Sequence, residues 1–350
     1  MSPEGSVEGS PVAAPAEATT SRTPADRRRL ALMAAVGAVV LALPLFGGSY
    51  LVSVATLALY LAYVGQAWNL MMGFAGQLSL GHSLYVGLGA YAAAGLFSHF
   101  GVGPWAGVWL AVVLCGAVGA FIGWLAFRLK VSGVQLSLLT VAFAELARIG
   151  FDHLEWLGGP GGLFLRVGDR SHLDLLAFRG PPALYYYAML GLCAAALGLC
   201  TLLLRRRAGY YWRAIREDEV AAQALGIDTL RWKLFAVVLS STMTAVAGVF
   251  FAFYNNSLFP EQIFSFGRSI EIVLGPVIGG LGTLFGPVVG AVTLVVLGDG
   301  ATEVLTRAGI DVPGVRQAIH GVVLLIVTIY LPNGLWPPLA RVLGVRSGRL

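Results

Sequence analysis

The sequence predicts an all-α integral membrane protein, a polytopic helical bundle of about 8–10 spans that includes broken half-helices. Its 350 residues are 57% hydrophobic and only 12% charged, whereas soluble domains carry about 25% charged residues. The mean hydropathy is +0.78, and the apolar residues gather in runs close to the ~20 residues that cross a hydrocarbon core. A soluble chain of this length would not need so many long, uncharged segments.

The two ends of the chain differ from this apolar body. Residues 1–29 are rich in Ser, Pro, Ala, Glu and Thr, a composition typical of disorder, and are predicted to form a disordered cytoplasmic arm. The arm ends in three arginines ahead of an apolar run at 30–46. Because no small-residue cleavage site follows cleanly, we interpret this run as a retained first span. One transmembrane domain is predicted over 30–338, and residues 339–350 are predicted to be a cytoplasmic tail.

Further spans are predicted from apolar runs at 50–72, 83–101, 104–127, 132–151, 182–204, 234–254 and 317–331. The segment 270–298 is different, because its glycines, Pro276 and Pro287 should break one helix into two half-helices. At membrane depth, such backbone is tolerated only inside protein or beside a water-filled cavity. We therefore predict a re-entrant hairpin at 270–298.

The basic residues predict the topology. With a cytoplasmic N-terminus, the inside segments (the arm, 128–131, 205–233 and the tail) hold sixteen of the 23 Lys and Arg residues, and the outside loops hold six. This bias follows the positive-inside rule, but only if 270–298 enters and leaves on the same side. Loops 152–180 and 255–268 are then outside. Because these basic residues lie at the ends of apolar runs and not together on one solvated face, they also argue against binding of nucleic acid.

Two glycine-rich stretches resemble each other. Residues 73–91 and 279–294 both place a glycine-broken turn before a helix of small residues. Paired interrupted segments in two halves of a transporter indicate a translocation site at their interface. The alternative is that glycine-rich membrane helices look alike, because small residues permit close packing.

The cytoplasmic segment 205–233 is too polar for the membrane and too regular for a slack loop. Its apolar residues recur at helical spacing over 213–226, and Gly226 is predicted to end this helix. Asp228 or Thr229 is predicted to cap the next helix. A short amphipathic helix can rest on lipid headgroups or dock in a groove of a partner protein. The polar face of this helix carries both acidic and basic residues, which favours docking on a partner protein over binding to lipid headgroups.

The pattern Ala221-Ala222-x-x-x-Gly226 resembles the EAA loop of ABC importer permeases, the coupling helix that sits in a cleft of the ATPase subunit. It departs from that loop because Val220 occupies the usual glutamate position, and Glu219 lies one residue earlier. Three further segments, 69–91, 213–228 and 279–291, resemble the branched-chain amino-acid ABC transporter permease family (LivM type), as does the ending 330–338. The resemblance covers about 30–338.

This resemblance implies that 30–338 is the permease domain of a binding-protein-dependent ABC importer in a bacterial cytoplasmic (inner) membrane. It implies alternating access, with a branched-chain or related small amino acid as solute. The implied partners are a second permease subunit, two cytoplasmic ATPase subunits and an extracytoplasmic solute-binding protein, all at the lipid bilayer. No cofactor is expected on this chain, since neither Lys130 nor Lys233 stands in a phosphate loop and ATP would be bound by the partner subunits.

Two alternatives stay open. A permease for urea or short-chain amides belongs to the same family, and the sequence does not separate its solute from an amino acid. A standalone secondary transporter would explain broken half-helices, but it would leave the 205–233 segment without a purpose.

The resemblance and the polar residues of the spans predict two sets of functional residues. Coupling to the ATPase is assigned to Arg213, Ala214, Ile215, Arg216, Glu217, Glu219, Ala221, Ala222 and Gly226. Candidate pathway residues are Gln77, Ser79, His82, Gln135, Ser137, Thr140, Gly282 and Thr283. The alternative for the polar pathway residues is that they satisfy backbone groups or make hydrogen bonds between helices. Glu145 and Arg148 are predicted to pair, because they are three residues apart on one helix. The loop 152–180 is a candidate docking surface for a binding protein.

The sequence offers no catalytic or metal-binding constellation. It has no arguable Ser/His/Asp set or carboxylate pair, so we do not expect an enzyme. The histidines of the outer loop, His153 and His172, lack ligand-like spacing. Cys115, Cys193 and Cys200 lie in apolar runs and are interpreted as small core residues.

Overall fold

The computed structural model describes residues 37–165, 174, 178–307 and 314–343. The predicted arm 1–29 and most of the predicted tail lie outside these residues. The chain divides into two units, 1–42 and 43–350. Of the first unit, the structure describes residues 37–42, which begin helix α1.

Almost all regular structure in the described residues is helical, which confirms the predicted all-α class. The helices are α1 Gly37–Phe46, α2 Ser49–Asn69, α3 Ser83–Phe100, α4 Pro104–Arg128, α5 Val134–Asp152, α6 Pro182–Arg205, α7 Arg207–Glu217, α8 Glu219–Ala224, α9 Thr229–Asn255, α10 Pro260–Ile263, α11 Phe266–Gly279, α12 Gly286–Arg307, α13 Val315–Tyr330 and α14 Trp336–Val342. A π-helical turn, Leu70–Phe74, extends α2, and two short strands, β1 Leu163–Phe164 and β2 Ser257–Leu258, pair antiparallel.

Six helices of the described residues are long and apolar enough to cross a membrane: α2 with its π turn, α4, α5, α6, α9 and α12. Together with the shorter apolar helices α1 and α13, they make this a polytopic membrane protein. The chain runs along α9 from α8 at one end of the bundle to β2 at the other. At about 1.5 Å per residue, the 27 residues of α9 span ~40 Å. We call these the α8 end and the β2 end.

Small residues allow the helices around α9 to approach closely. A Cβ added to Gly89 of α3 would meet the backbone of Ala245, and one added to Gly119 of α4 would meet the side chain of Ser241. Tyr63 of α2 donates a hydrogen bond to the Met243 carbonyl at 3.0 Å. Such contacts are typical of helix bundles in membranes. There, van der Waals packing and hydrogen bonds between helices drive their association, because the surrounding lipid is itself apolar.

The segment predicted as a hairpin breaks between Gly280 and Phe285, and its two arms are unequal. α11 has 14 residues, whereas α12 has 22 and is a full-length helix. Pro287 stands in the first turn of α12, where proline is tolerated, and so does not interrupt it. The break is made by Gly280 (φ +122°) and Gly282 (φ +69°), conformations that favour glycine.

The two arms of this segment run antiparallel. α11 begins beside α10 at the β2 end, and a Cβ added to Gly279 would meet the backbone of Gly286 and Gly290. α12 therefore returns towards the β2 end from which α11 came. Antiparallel arms are compatible with a segment that enters and leaves on one side, but α12 is longer than the predicted half-helix. The re-entrant hairpin and the membrane side that it enters stay predictions.

Candidate functional site

The helix expected over 213–226 is instead two helices, α7 and α8, separated at Asp218. The backbone of Asp218 is extended (φ −155°, ψ 109°). Its carboxylate accepts hydrogen bonds from the N–H groups of Val220 at 2.8 Å and Ala221 at 3.0 Å. An aspartate that caps the following turn in this way competes with continuation of the helix through it.

α8 ends at the glycine that the sequence predicts to end it. Gly226 has φ +82°, and its N–H donates to the Gln223 carbonyl at 2.9 Å. The N–H of Ile227 donates to the Ala222 carbonyl at 3.1 Å, which completes a Schellman motif. Asp228, one of the two predicted caps, then accepts from the N–H of Arg231 at 3.1 Å and begins α9.

α8 is fastened to the start of α9 by an ion pair. The Lys233 ammonium lies 2.7 Å from the Glu219 carboxylate, and the side chain of Lys233 is only 8% exposed. The same ammonium lies 4.5 Å from the centre of the Phe127 ring. Glu219, which resembles a displaced EAA glutamate, therefore holds α8 against the bundle.

The remaining coupling candidates divide between a buried and an exposed face. Ile215 and Ala222 are buried, and Arg213 and Ala214 are half-buried. Glu217, Ala221 and Gly226 are exposed. Two further apolar side chains of the 213–226 segment are exposed, Val220 of α8 by 76% and Leu225, directly after α8, by 81%. α8 thus presents an apolar surface away from its own bundle.

Arg216 connects α7 to both broken segments. Its guanidinium donates from Nη1 to the Gly73 carbonyl in the π turn of α2. A Cβ added to Gly282 would lie 2.8 Å from that Nη1 and 2.8 Å from the Gly73 oxygen. The guanidinium therefore lies where the end of α2 meets the break before α12.

The two broken segments are also held to each other, by Asn69. Its side-chain amide donates to the Thr283 carbonyl at 3.0 Å, and its side-chain oxygen accepts from the N–H of Gly282 at 2.9 Å. The Thr283 hydroxyl accepts from the N–H of Gly286 at 3.1 Å and so caps α12. The sequence analysis did not single out Asn69. The signal available was a carboxamide at the end of a long apolar run.

Arg216 and the Gly73 end of α2 border a cavity of about 420 Å³ at the α8 end. It is lined by the predicted residues Gln77, Arg216 and Glu219, together with Gly73 and Leu281. We call this the junction cavity. It places α7, α8, the end of α2 and the break of the hairpin around one space.

His82 lies fully buried at the start of α3 in a chain of hydrogen bonds. The Ser240 hydroxyl donates to the Ala67 carbonyl at 2.7 Å and so accepts from His82 Nε2 at 2.9 Å. In a neutral ring with its proton on Nε2, Nδ1 accepts from the Ser79 hydroxyl at 3.1 Å. The chain satisfies both ring nitrogens.

The other polar pathway candidates also bond within the chain, except Gln135, which is exposed on α5. Thr140 accepts from the N–H of Leu80 at 3.2 Å, Ser137 donates to the Val134 carbonyl at 2.7 Å, and Gln77 donates to the Ala75 carbonyl at 3.0 Å. These bonds fit the alternative of backbone satisfaction, and a pathway role stays a prediction.

The β2 end carries the predicted outer loops. β1 and β2 pair Leu163 with Leu258, which joins the loops 152–180 and 255–268. Arg148 donates to Glu145 at 2.9 Å and to Asp152 at 2.9 Å, which confirms the predicted pair. The described residues contain no cluster of three or more metal-ligating side chains, and His172 lies outside them. Docking of a binding protein here stays a prediction.

Comparisons with known proteins agree over most of the chain. The family model for "Branched-chain amino acid transport system / permease component" matches residues 50–330. The "High-affinity branched-chain amino acid transport system permease protein LivM" of Salmonella typhimurium is 30% identical, covering 92% of this chain and 78% of that protein. The protein of the same name from Escherichia coli K12 is also 30% identical, covering 85% of this chain and 72% of that protein. A "Probable branched-chain amino acid transport permease protein LivH" of Methanocaldococcus jannaschii is 24% identical, covering 74% of this chain and 84% of that protein. No solved structure matches.

Proposed function

Because the chain belongs to the family of branched-chain amino acid transport system permease components, we propose that it is the membrane subunit of a binding-protein-dependent ABC importer. Its solute is a branched-chain or related small amino acid. It acts in a bacterial cytoplasmic membrane beside a second permease subunit, as the similarity to both LivM and LivH proteins suggests. Two ATPase subunits bind at the α8 end, and a solute-binding protein delivers at the β2 end.

The observation that carries this proposal is the exposed apolar surface of α8. Val220 and Leu225 stand out from a helix whose other side is fixed by Glu219 and Lys233. Together, Val220 and the adjacent Leu225 form an apolar surface at a helix end, which a groove of a partner protein would cover. An ATPase cleft is the partner that this surface fits.

Arg216 gives such docking a mechanical consequence. A push on α8 is transmitted to α7, from which Arg216 reaches Gly73 at the end of α2. Asn69 links that end to the break before α12. ATP-driven closure of the ATPases would therefore act directly on both broken segments, and their displacement would rock the bundle between inward-facing and outward-facing states.

The test uses the permease purified with its co-expressed partner subunits and reconstituted in vesicles, with leucine and binding protein outside. Val220→Arg should abolish association of the ATPase and ATP-dependent uptake of leucine, because it places a charge in the docked surface. Val342→Arg is the matched control, since Val342 is 85% exposed at the same end but on α14. Equal ATPase association in both variants would contradict the proposal.

The same preparation separates the two alternatives. A standalone secondary transporter would take up leucine without ATP hydrolysis and without an associated ATPase. A permease for urea or short-chain amides would transport these solutes, and leucine would not compete with them.

A further inference from the structure

A cavity of about 300 Å³ lies at the β2 end of the bundle, between α2, α9, α10 and α11. We call it the outer cavity. Resting on the proposed function, we propose that the outer cavity binds the α-carboxylate and α-ammonium groups of an aliphatic amino acid during import. Arg268 receives the carboxylate, Glu271 receives the ammonium, and the hydroxyl of Tyr60 completes the polar side.

Arg268 and Glu271 are one helical turn apart at the start of α11 and both line the outer cavity. Their side chains are 20% and 21% exposed, with Nη1 and Oε2 2.9 Å apart. The guanidinium also lies over the Phe251 ring at 4.9 Å. Charged groups that are largely buried in a membrane bundle are expensive and mark solute pathways by default.

The guanidinium of Arg268 suits a carboxylate ligand. It has five N–H donors in a planar fork, and its side chain makes one hydrogen bond to a described residue, from Nη1 to Glu271. The rest of the fork remains for a ligand, and bidentate binding of carboxylates is its preferred geometry. An amino acid can bind here without breaking the ion pair between Arg268 and Glu271. Its carboxylate contacts the guanidinium, and its ammonium contacts the carboxylate of Glu271.

Tyr60 provides an independent observation. Its side chain is 3% exposed, and its hydroxyl has no hydrogen-bond partner among the residues that the structure describes. A buried hydroxyl without a partner costs free energy, and a ligand that bonds to it would recover that cost. Tyr60 lines the same cavity as Arg268 and Glu271.

The rest of the lining suits an aliphatic side chain. Leu57, Phe250 and Ile263 form an apolar wall of the outer cavity. The volume of the outer cavity lies at the lower end of the ~300–1,000 Å³ range of small-molecule sites. A second cavity, of about 660 Å³, extends past Arg268 and Glu271 towards Leu324 of α13. The charged pair thus stands between two spaces at the end where a binding protein would release its solute.

Protection of a single cysteine tests the site in the complete complex. Ser257 lines the outer cavity, whereas the three native cysteines are buried, so Ser257→Cys should react with a maleimide. We expect leucine to slow this reaction. Leucinamide, which lacks the carboxylate, and 4-methylpentanoate, which lacks the ammonium, should not slow it at the same concentration.

In the Ser257→Cys background, Arg268→Gln and Glu271→Gln should each raise the leucine concentration for half-protection by roughly ten- to a hundred-fold. Arg307→Gln is the matched control, because Arg307 pairs with Glu303 at the same end with a side chain 77% exposed. Arg268→Lys separates ligand binding from a structural ion pair. It keeps the charge opposite Glu271 but loses the fork, so carboxylate binding predicts weakened protection and a purely structural pair predicts unchanged protection.

Uptake of leucine by the same preparation distinguishes the two proposals. Uptake by the parent protein without protection, or protection that survives Arg268→Gln unchanged, would overturn the site and leave the importer standing. Loss of both uptake and protection in the parent protein would overturn the importer for amino acids together with its site.

Discussion

At the scale of single residues, Arg216 is central to the proposed coupling. It stands on α7, outside the predicted spans, yet its guanidinium reaches the Gly73 carbonyl inside the bundle. Its contact with the adjacent Glu217, at 3.6 Å with a side chain 78% exposed, adds little, as is usual for surface ion pairs. The bond to Gly73 is therefore the specific contribution of this arginine.

Replacing Arg216 by methionine should uncouple transport from ATP hydrolysis. Methionine has a comparable reach but cannot donate to Gly73, and a buried carbonyl left without its partner costs about 1–3 kcal/mol. We expect the ATPase to remain bound and uptake to fall at least roughly ten-fold, measured in vesicles alongside ATP hydrolysis. Arg231→Met is the control, because Arg231 is 85% exposed and pairs only with Asp228 among described side chains. Normal uptake by Arg216→Met would mean that the link to Gly73 is dispensable.

The sequence places Arg216 in the predicted coupling segment but cannot show its partner, Gly73, which lies 143 positions earlier. The bonded pair Asn69 and Gly282 is likewise 213 positions apart. No local sequence pattern brings either pair together. Tyr60 and Glu271 were equally hidden, because a tyrosine inside an apolar run and a glutamate beside an outer loop are unremarkable until packing makes them neighbours. Residues identified by local turn chemistry, such as Gly226 and Asp228, were predictable because their role depends on the adjacent backbone.

At the scale of elements, the hairpin α11–α12 depends on backbone lying against backbone. A Cβ on Gly275 would stand 3.6 Å from the N–H nitrogen of Ala291, and Gly279 leaves no room for one beside Gly286. The break that joins the arms is equally tight around Gly282. The hairpin is therefore a packed part of the protein interior.

Gly282→Leu should block uptake while the permease still inserts and assembles. The side chain would press on Arg216 and on Gly73 in a left-handed conformation, and overpacking of this kind costs about 1–3 kcal/mol. Gly267→Ala, in the first turn of α11, is the control, because its Cβ would meet only the Ser265 hydroxyl at 3.9 Å. The two variants are compared by complex yield and leucine uptake. Full uptake by Gly282→Leu would place the break away from the moving parts.

Element boundaries followed the sequence where glycine set them, whereas Pro276 lies inside α11 and Pro287 in the first turn of α12 without breaking either helix as the sequence had predicted. The break at 280–285 and the end of α8 both coincide with glycines of positive φ. The division between α7 and α8 was missed, because Asp218 is also compatible with a helical charge pattern. Only the capping bonds to Val220 and Ala221 reveal it.

At the scale of the whole molecule, the two ends of the bundle differ in the elements that they gather. The α8 end gathers α7, α8 and the break before α12, while Leu335 beside α14 donates to the Ile278 carbonyl at the end of α11. The β2 end gathers the paired outer loops and the outer cavity. This separation agrees with the basic bias that predicts the α8 end in the cytoplasm.

Labelling of single cysteines in intact cells tests this orientation. Ser257→Cys at the β2 end should react with an impermeant thiol reagent, and Val342→Cys, at an 85% exposed position on α14, should react only after the cells are permeabilised. The native cysteines are buried, and the cysteine-containing parent chain sets the background. Reaction at position 342 but not at 257 in intact cells would invert the topology.

The small size of α8 has a consequence for how fast a partner can bind. Helices of six residues do not persist alone in water, where ~12–15 residues are marginal, yet Asp218, Gly226 and the Glu219–Lys233 pair hold this one before any partner arrives. Little conformational entropy remains to be lost there on association, since that surface is already ordered. We therefore expect binding to be limited by diffusion and orientation, so that an ATPase can leave and return without this surface having to fold anew.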